Sequence, residues 1–214
     1  DKEFLYHQIT RIGYWLAKDE GVISISLAIS FSSLVLVYFF GATIGSVPLG
    51  FAASLMLLFS PAIYPRLFMV RPHVLAIFAF IGLIGFLIRR QPKWVLAFSL
   101  VFSLAYHAIY VPGLFFLAMI VSSFIYQSPK FLEIRKVSLF GIVGLVLGIL
   151  LNPYFPSNLV SAWQISQIPG LMTGALSHIS FGQELYAVGS NHFLQLLMSS
   201  LLVTVAGIYF WGKS

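Results

Sequence analysis

The sequence predicts an all-α chain: a polytopic bundle of about seven transmembrane helices, preceded by an amphipathic helix lying at the membrane interface. Three observations carry this. Of the 214 residues, 59% are hydrophobic and only 8% are charged, against about 25% charged in an ordinary soluble domain. Twelve Lys and Arg with six Asp and Glu cannot cover, in water, the surface that a chain of this length leaves exposed. The apolar residues also gather into long uncharged runs separated by short basic or Pro-bearing turns, and 21 Phe with 10 Tyr suit helices packed in a bilayer. Cys is absent, which excludes disulfides and thiolate metal sites. The net charge of +6 is spread thinly between apolar runs, so membrane topology accounts for it and nucleic acid is not an expected partner.

The elements follow in order. In residues 1–20, Leu5, Ile9, Ile12 and Leu16 recur at helical spacing, while Glu3, His7, Thr10, Arg11 and Lys18 fall mainly on the other side. That pattern describes a helix lying in the interface. A crossing needs about 20 mostly apolar residues, since roughly 30 Å of hydrocarbon is traversed at 1.5 Å per residue. Gly21 to Gly41 meets this without a charge, and Val47 to about Tyr64 forms the second span, closed by Pro61 and Pro65. His73 to Ile88 is shorter, but Arg71 and the pair Arg89-Arg90 bracket it and their long side chains can snorkel to the headgroups.

Between Lys93 and Lys130 there is no charged residue. At helical rise this stretch is roughly 50 Å long, which is two crossings rather than one. The expected break lies at Tyr106 to Gly113, where Pro112-Gly113 and polar rings interrupt the run. Ser138 to Leu151 makes the sixth span, with Gly141, Gly144 and Gly148 spaced for close helix packing. The whole chain, 1–214, thus reads as one transmembrane domain: an outer helix over 1–20, six spans within 21–151, an outer polar loop over 152–191 and a last span over 192–212. It opens on Asp1 rather than Met and stops directly after an apolar run, as expected of part of a longer chain.

Orientation follows from Lys and Arg in the loops. Arg89, Arg90 and Lys93 form one basic turn and Lys130, Arg135 and Lys136 another, so both are expected on the cytoplasmic side of a plasma (inner) membrane. Residues 1–20, 64–72, 107–112 and 152–191 then face outward. All five His (His7, His73, His107, His178, His192) and five of the six acids (Asp1, Glu3, Asp19, Glu20, Glu184) collect at that outer face. Polar groups are costly near hydrocarbon, so such a collection marks a candidate site.

Asp1, Glu3 and His7 are the sharpest part of it. The spacing D-x-E-x-x-x-H offers two carboxylates and an imidazole from one short stretch, and Glu3 with His7 are i,i+4 neighbours. Such a group can act as a general base, or hold a divalent cation such as Mg or Mn. The plainer alternative is that the acids cap a helix. Arg66, Arg71 and His73 add positive charge at headgroup level, where Arg also serves as an interface anchor. Asn152, Tyr154 and Asn158 sit in a Pro-bounded turn that also serves to end a helix. Gln183, Glu184 and Asn191 of the outer loop, with His192 at the start of the last span, are candidates to line an acceptor site.

Three of these elements resemble one family group. Asp1-Lys2-Glu3-Phe4-Leu5-Tyr6-His7 resembles the acidic element, with a trailing aromatic and His, of the first outer loop of GT-C-fold membrane glycosyltransferases. Arg71-Pro72-His73 entering a helix and Leu151-Asn152-Pro153-Tyr154 following a later one are similar to elements of the same group. Lys2 stands where such proteins often have Pro, and Phe155 where Gly is common after Asn-Pro-Tyr.

The resemblance implies transfer of a sugar from a polyprenyl-phosphate carrier to a lipid, glycan or protein acceptor outside the cytoplasm. Asp1 or Glu3 would remove the acceptor's proton beside His7, and Arg66, Arg71 and His73 would meet the departing phosphate. His107, Asn152, Tyr154 and Glu184 would line the substrate site. The expected partners are membrane lipids and the polyprenyl-phosphate-linked sugar. Two other classes stay open: a transporter or flippase of a lipid-linked substrate, which calls for ionisable residues near the bilayer midplane, and a non-catalytic subunit of a membrane complex, which calls for no converging polar site.

Overall fold

The computed structural model describes residues 3–60, 64–125 and 129–160, and the regular structure among them is entirely helical: α1 (Phe4–Ile44), α2 (Val47–Phe59), α3 (Tyr64–Leu67), α4 (His73–Ile88), α5 (Pro92–Ala105), α6 (Tyr110–Ile125) and α7 (Pro129–Leu151). The expected last span and most of the outer loop, from residue 161 onward, lie outside the described residues. Among the described residues two stretches are long and apolar enough to cross a membrane, α1 and residues Leu132–Leu151 of α7. The helices α2, α4, α5 and α6 have 13, 16, 14 and 16 residues. That is roughly 20 to 24 Å of rise, less than the expected full crossings.

α1 departs from the sequence reading. It breaks at Ala17 and Lys18, whose φ values are −148° and 52°, and the break folds it into two limbs, 4–16 and 19–44. The limbs touch backbone to backbone: a Cβ on Gly21 would lie 2.0 Å from the Gly13 carbonyl oxygen, so only glycine allows this approach. Further along, the Tyr6 and Ser26 hydroxyls meet at 3.1 Å. The expected apolar stripe is therefore only half used. Leu5 and Ile9 pack against Leu75 and Ala105, but Ile12 and Leu16 remain 58% and 69% exposed while Tyr6 and Gly13 are buried. The close glycine contact turns the Tyr6–Gly13 face inward, and the stripe beside it faces out. The first limb is thus one arm of a helical hairpin rather than a separate helix.

Elsewhere local chemistry explains the boundaries. Ser46 caps α2, accepting the Leu49 N–H at 3.4 Å, and Pro follows it in the first turn. The expected break after α5 is present, but it falls at Tyr106 to Ile109. Pro112 and Gly113 instead enter the start of α6, where a missing N–H costs nothing. α7 begins at Pro129 rather than Ser138, because the charged residues Glu133, Arg135 and Lys136 extend the helix instead of ending it.

α5 packs on α7 through small residues. A Cβ on Gly144 would stand 2.4 Å from the Leu96 carbonyl, and one on Gly148 would stand 2.6 Å from the Ser103 Cβ, which is the close packing expected of these glycines. The main core joins Ala79, Leu83 and Leu87 of α4, Val95 and Phe102 of α5, Phe116 of α6 and Val137 and Leu145 of α7. The helices run back and forth between two polar ends. At one end Arg90 pairs with Glu133, and at the other Glu3 meets His107.

Candidate functional site

Glu3 occupies the N-cap position of α1, yet its side chain makes no capping bond. The carboxylate serves two imidazoles instead. Its Oε1 lies 3.3 Å from His107 Nδ1, and its Oε2 lies 3.9 Å from His7 Nε2, one helical turn away. Glu3 and His107 are 22% and 18% exposed, whereas His7 is 51% exposed. The His107 contact is within ion-pair distance but lacks the alignment of a hydrogen bond, so its strength depends on protonation of the ring.

His107 is held in the link from α5 to α6. α5 ends where Tyr106 turns to extended backbone, and the His107 carbonyl accepts the Ile109 N–H at 2.9 Å. The Tyr106 and His107 rings stand 4.5 Å apart, and on α1 the Tyr6 ring stands edge-on to His7 at 5.9 Å. Each imidazole thus has an aromatic neighbour, which limits its rotation.

Beside His107 a small crevice of about 10 Å³, open to solvent, is bordered by Ser103, Tyr106, Asn152, Asn158 and Ile149. Asn152, 3% exposed, closes α7: its Oδ1 accepts the Tyr154 N–H at 3.0 Å and its carbonyl accepts the Phe155 N–H at 2.9 Å. The Asn-Pro-Tyr turn therefore ends the helix and also presents Asn152 to the crevice. Asn158 donates to the Ile149 carbonyl at 3.3 Å, which fixes the far wall.

Among the expected site residues, Glu3, His7, His107 and Asn152 are gathered here. Tyr154 is exposed and does not border the crevice. Arg66 lies on α3, Arg71 in the turn before α4, and His73 opens α4. Both Arg are exposed and His73 is half-buried. Ser30 of α1 donates to the Leu67 carbonyl, which fastens this segment to the hairpin. Asp1 and Glu184 lie outside the described residues.

Sequence reasoning missed Ser103. It is buried, its hydroxyl has no hydrogen-bond partner among the described residues, and it borders the crevice. Its signal was available as a serine one helical turn before His107. The expected metal set of Asp1, Glu3 and His7 includes Asp1, which lies outside the described residues; among those residues no group of three or more His, Asp or Glu is placed to hold a metal ion. The two imidazoles address different oxygens of Glu3, an arrangement that suits proton handling better than shared coordination. Compared with known proteins, the chain matches no family model, no curated protein and no solved structure.

Proposed function

We propose that this protein is a multi-pass membrane glycosyltransferase that takes a sugar from a polyprenyl-phosphate carrier and transfers it to a lipid, glycan or protein acceptor on the extracytoplasmic side. The observation that carries the reading is the meeting of Glu3 with His107, whose ring borders a small crevice with Asn152 and Asn158, at the bundle end opposite the basic turns. The membrane part draws support from large apolar side chains exposed along the helices, among them Phe31, Val35, Phe51, Leu114, Val121, Val143 and Leu150. Shorter helices cross with the help of their links and of flanking Arg that reach the headgroups.

In this reading the Glu3 carboxylate accepts the proton of the attacking acceptor group. The new bond forms at the anomeric carbon as the bond from that carbon to the phosphate oxygen breaks, and the electron pair leaves with the carrier phosphate. His107 and His7 hold Glu3 between them, so the proton arrives at a positioned oxygen. Arg66, Arg71 and His73 supply positive charge for the departing phosphate at headgroup level.

The test is turnover of a polyprenyl-phosphate sugar by the protein reconstituted in vesicles. Glu3→Gln keeps the shape and removes the base, and a fall of about 100-fold or more is expected for a lost general base. Unchanged turnover would overturn the catalytic assignment.

A further inference from the structure

The end of the bundle opposite the candidate site is strongly basic. Arg89 and Arg90 follow α4, Lys93 lies in the first turn of α5, and Arg135 and Lys136 lie in the early turns of α7. The fold brings these segments together, and Arg90 spans them by pairing with Glu133. Arg90 adopts φ 55°, a left-handed conformation that glycine would adopt with less strain, so the position keeps a guanidinium at a conformational cost. Among the described residues no carboxylate lies within ion-pair distance of Arg89, Lys93, Arg135 or Lys136.

The two remaining guanidinium groups lie on aromatic rings of neighbouring helices. Arg89 lies over the Phe39 ring at 5.2 Å and Arg135 over the Phe124 ring at 5.1 Å. Such stacking holds the planar cation by its face and leaves its N–H edges available. Apolar surface adjoins it directly: Ile88, Trp94 and Phe124 are all more than half exposed, and Trp94 stacks on Phe86 at 5.4 Å. A soluble polyanion would satisfy the cations but leave these apolar groups in water. A leaflet with anionic headgroups satisfies both, with phosphates over the cations and acyl chains along the helices.

We propose that this end is a docking surface for anionic phospholipid, with Arg89 and Arg135 binding the lipid phosphate and Lys93 and Lys136 adding to the field. The proposal rests on the membrane reading above and is independent of the transferase chemistry. Trp94 reports on it directly. In the full chain with Trp15, Trp163 and Trp211 changed to Phe, Trp94 fluorescence is measured in phosphatidylcholine vesicles containing phosphatidylglycerol. Brominated acyl chains are placed on one lipid or the other at equal mole fraction.

Brominated phosphatidylglycerol is expected to quench Trp94 at least about twofold more than brominated phosphatidylcholine. In the Arg89→Gln, Arg135→Gln double variant the two are expected to quench nearly equally. Equal quenching in the parent overturns the docking surface and leaves the membrane reading standing, whereas no quenching by either lipid overturns both. The parent measurement alone separates these outcomes, so the result does not depend on the variant folding.

Discussion

Glu3 Oε1 and His107 Nδ1 stand 3.3 Å apart, joining the N-cap of α1 to the link between α5 and α6. Both side chains are mostly shielded, so the pair belongs to the class of contacts whose energies are felt. Glu3→Gln, His107→Gln and the double variant form a cycle, and a coupling on the order of 1 kcal/mol is expected from chemical unfolding in detergent. Additive effects would show that the two side chains are merely neighbours.

The Arg90–Glu133 pair places residues 89–93 and 133–136 at the same end of the bundle. The chain has no Cys, so single cysteines report sidedness cleanly. Lys93→Cys and Lys136→Cys are expected to react with an impermeant maleimide from one side of a sealed vesicle, and Tyr154→Cys from the other. Labelling of Lys93→Cys and Lys136→Cys from opposite sides would break the topology.

The α5–α7 seam gives a stability contrast. A methyl group at Gly144 would press on the Leu96 backbone carbonyl, whereas one at Gly113 meets nothing within 4 Å. Gly144→Ala is expected to cost about 1 to 3 kcal/mol, because a backbone atom cannot move aside. Gly113→Ala is expected to gain about 0.5 kcal/mol by stiffening the unfolded chain. Thermal unfolding in detergent checks both, and equal midpoints would refute the close packing.

If Arg71 clamps a carrier phosphate, Arg71→Lys keeps the charge but loses the planar pair of donors. Binding of a polyprenyl phosphate is then expected to weaken by about tenfold, the equivalent of one charged hydrogen bond. A snorkelling anchor would tolerate lysine, and equal binding by both proteins would reject the clamp.

Lys18 gives a test of the hairpin. Its φ of 52° with ψ of −136° is a conformation that glycine adopts freely and lysine does not. Lys18→Gly is expected to stabilise the protein by about 1 kcal/mol, measured against an exposed control in the second limb such as Ser24→Ala.

The boundaries were legible where charge or proline changes the run. Arg89-Arg90 ends α4, Ser46 with Pro48 starts α2, and the uncharged stretch after Lys93 divides near His107 as its length requires. Charge misled at α7, since hydropathy treats Glu133, Arg135 and Lys136 as loop although they are solvated on a helix that Pro129 begins. The hairpin was not legible, because the Gly13–Gly21 contact depends on a turn at Ala17-Lys18 that carries no Gly or Pro. At the site, spacing identified Glu3 with His7. No local pattern could select His107 as the second partner, because that choice is made by how α1 packs against α5.

The hairpin also sets the height of Glu3. Its first limb reaches the bundle by running antiparallel to the second, with Gly13 on Gly21 and Tyr6 on Ser26 as paired reference points. Sliding one limb by a single helical turn would move the carboxylate about 5.4 Å along the axis and break its contact with His107. The two glycines and the Tyr6–Ser26 bond therefore work as an index pin, converting the alignment of two helices into the position of one oxygen atom. A change deep in the hairpin, far from either imidazole, is felt first as a misplaced carboxylate.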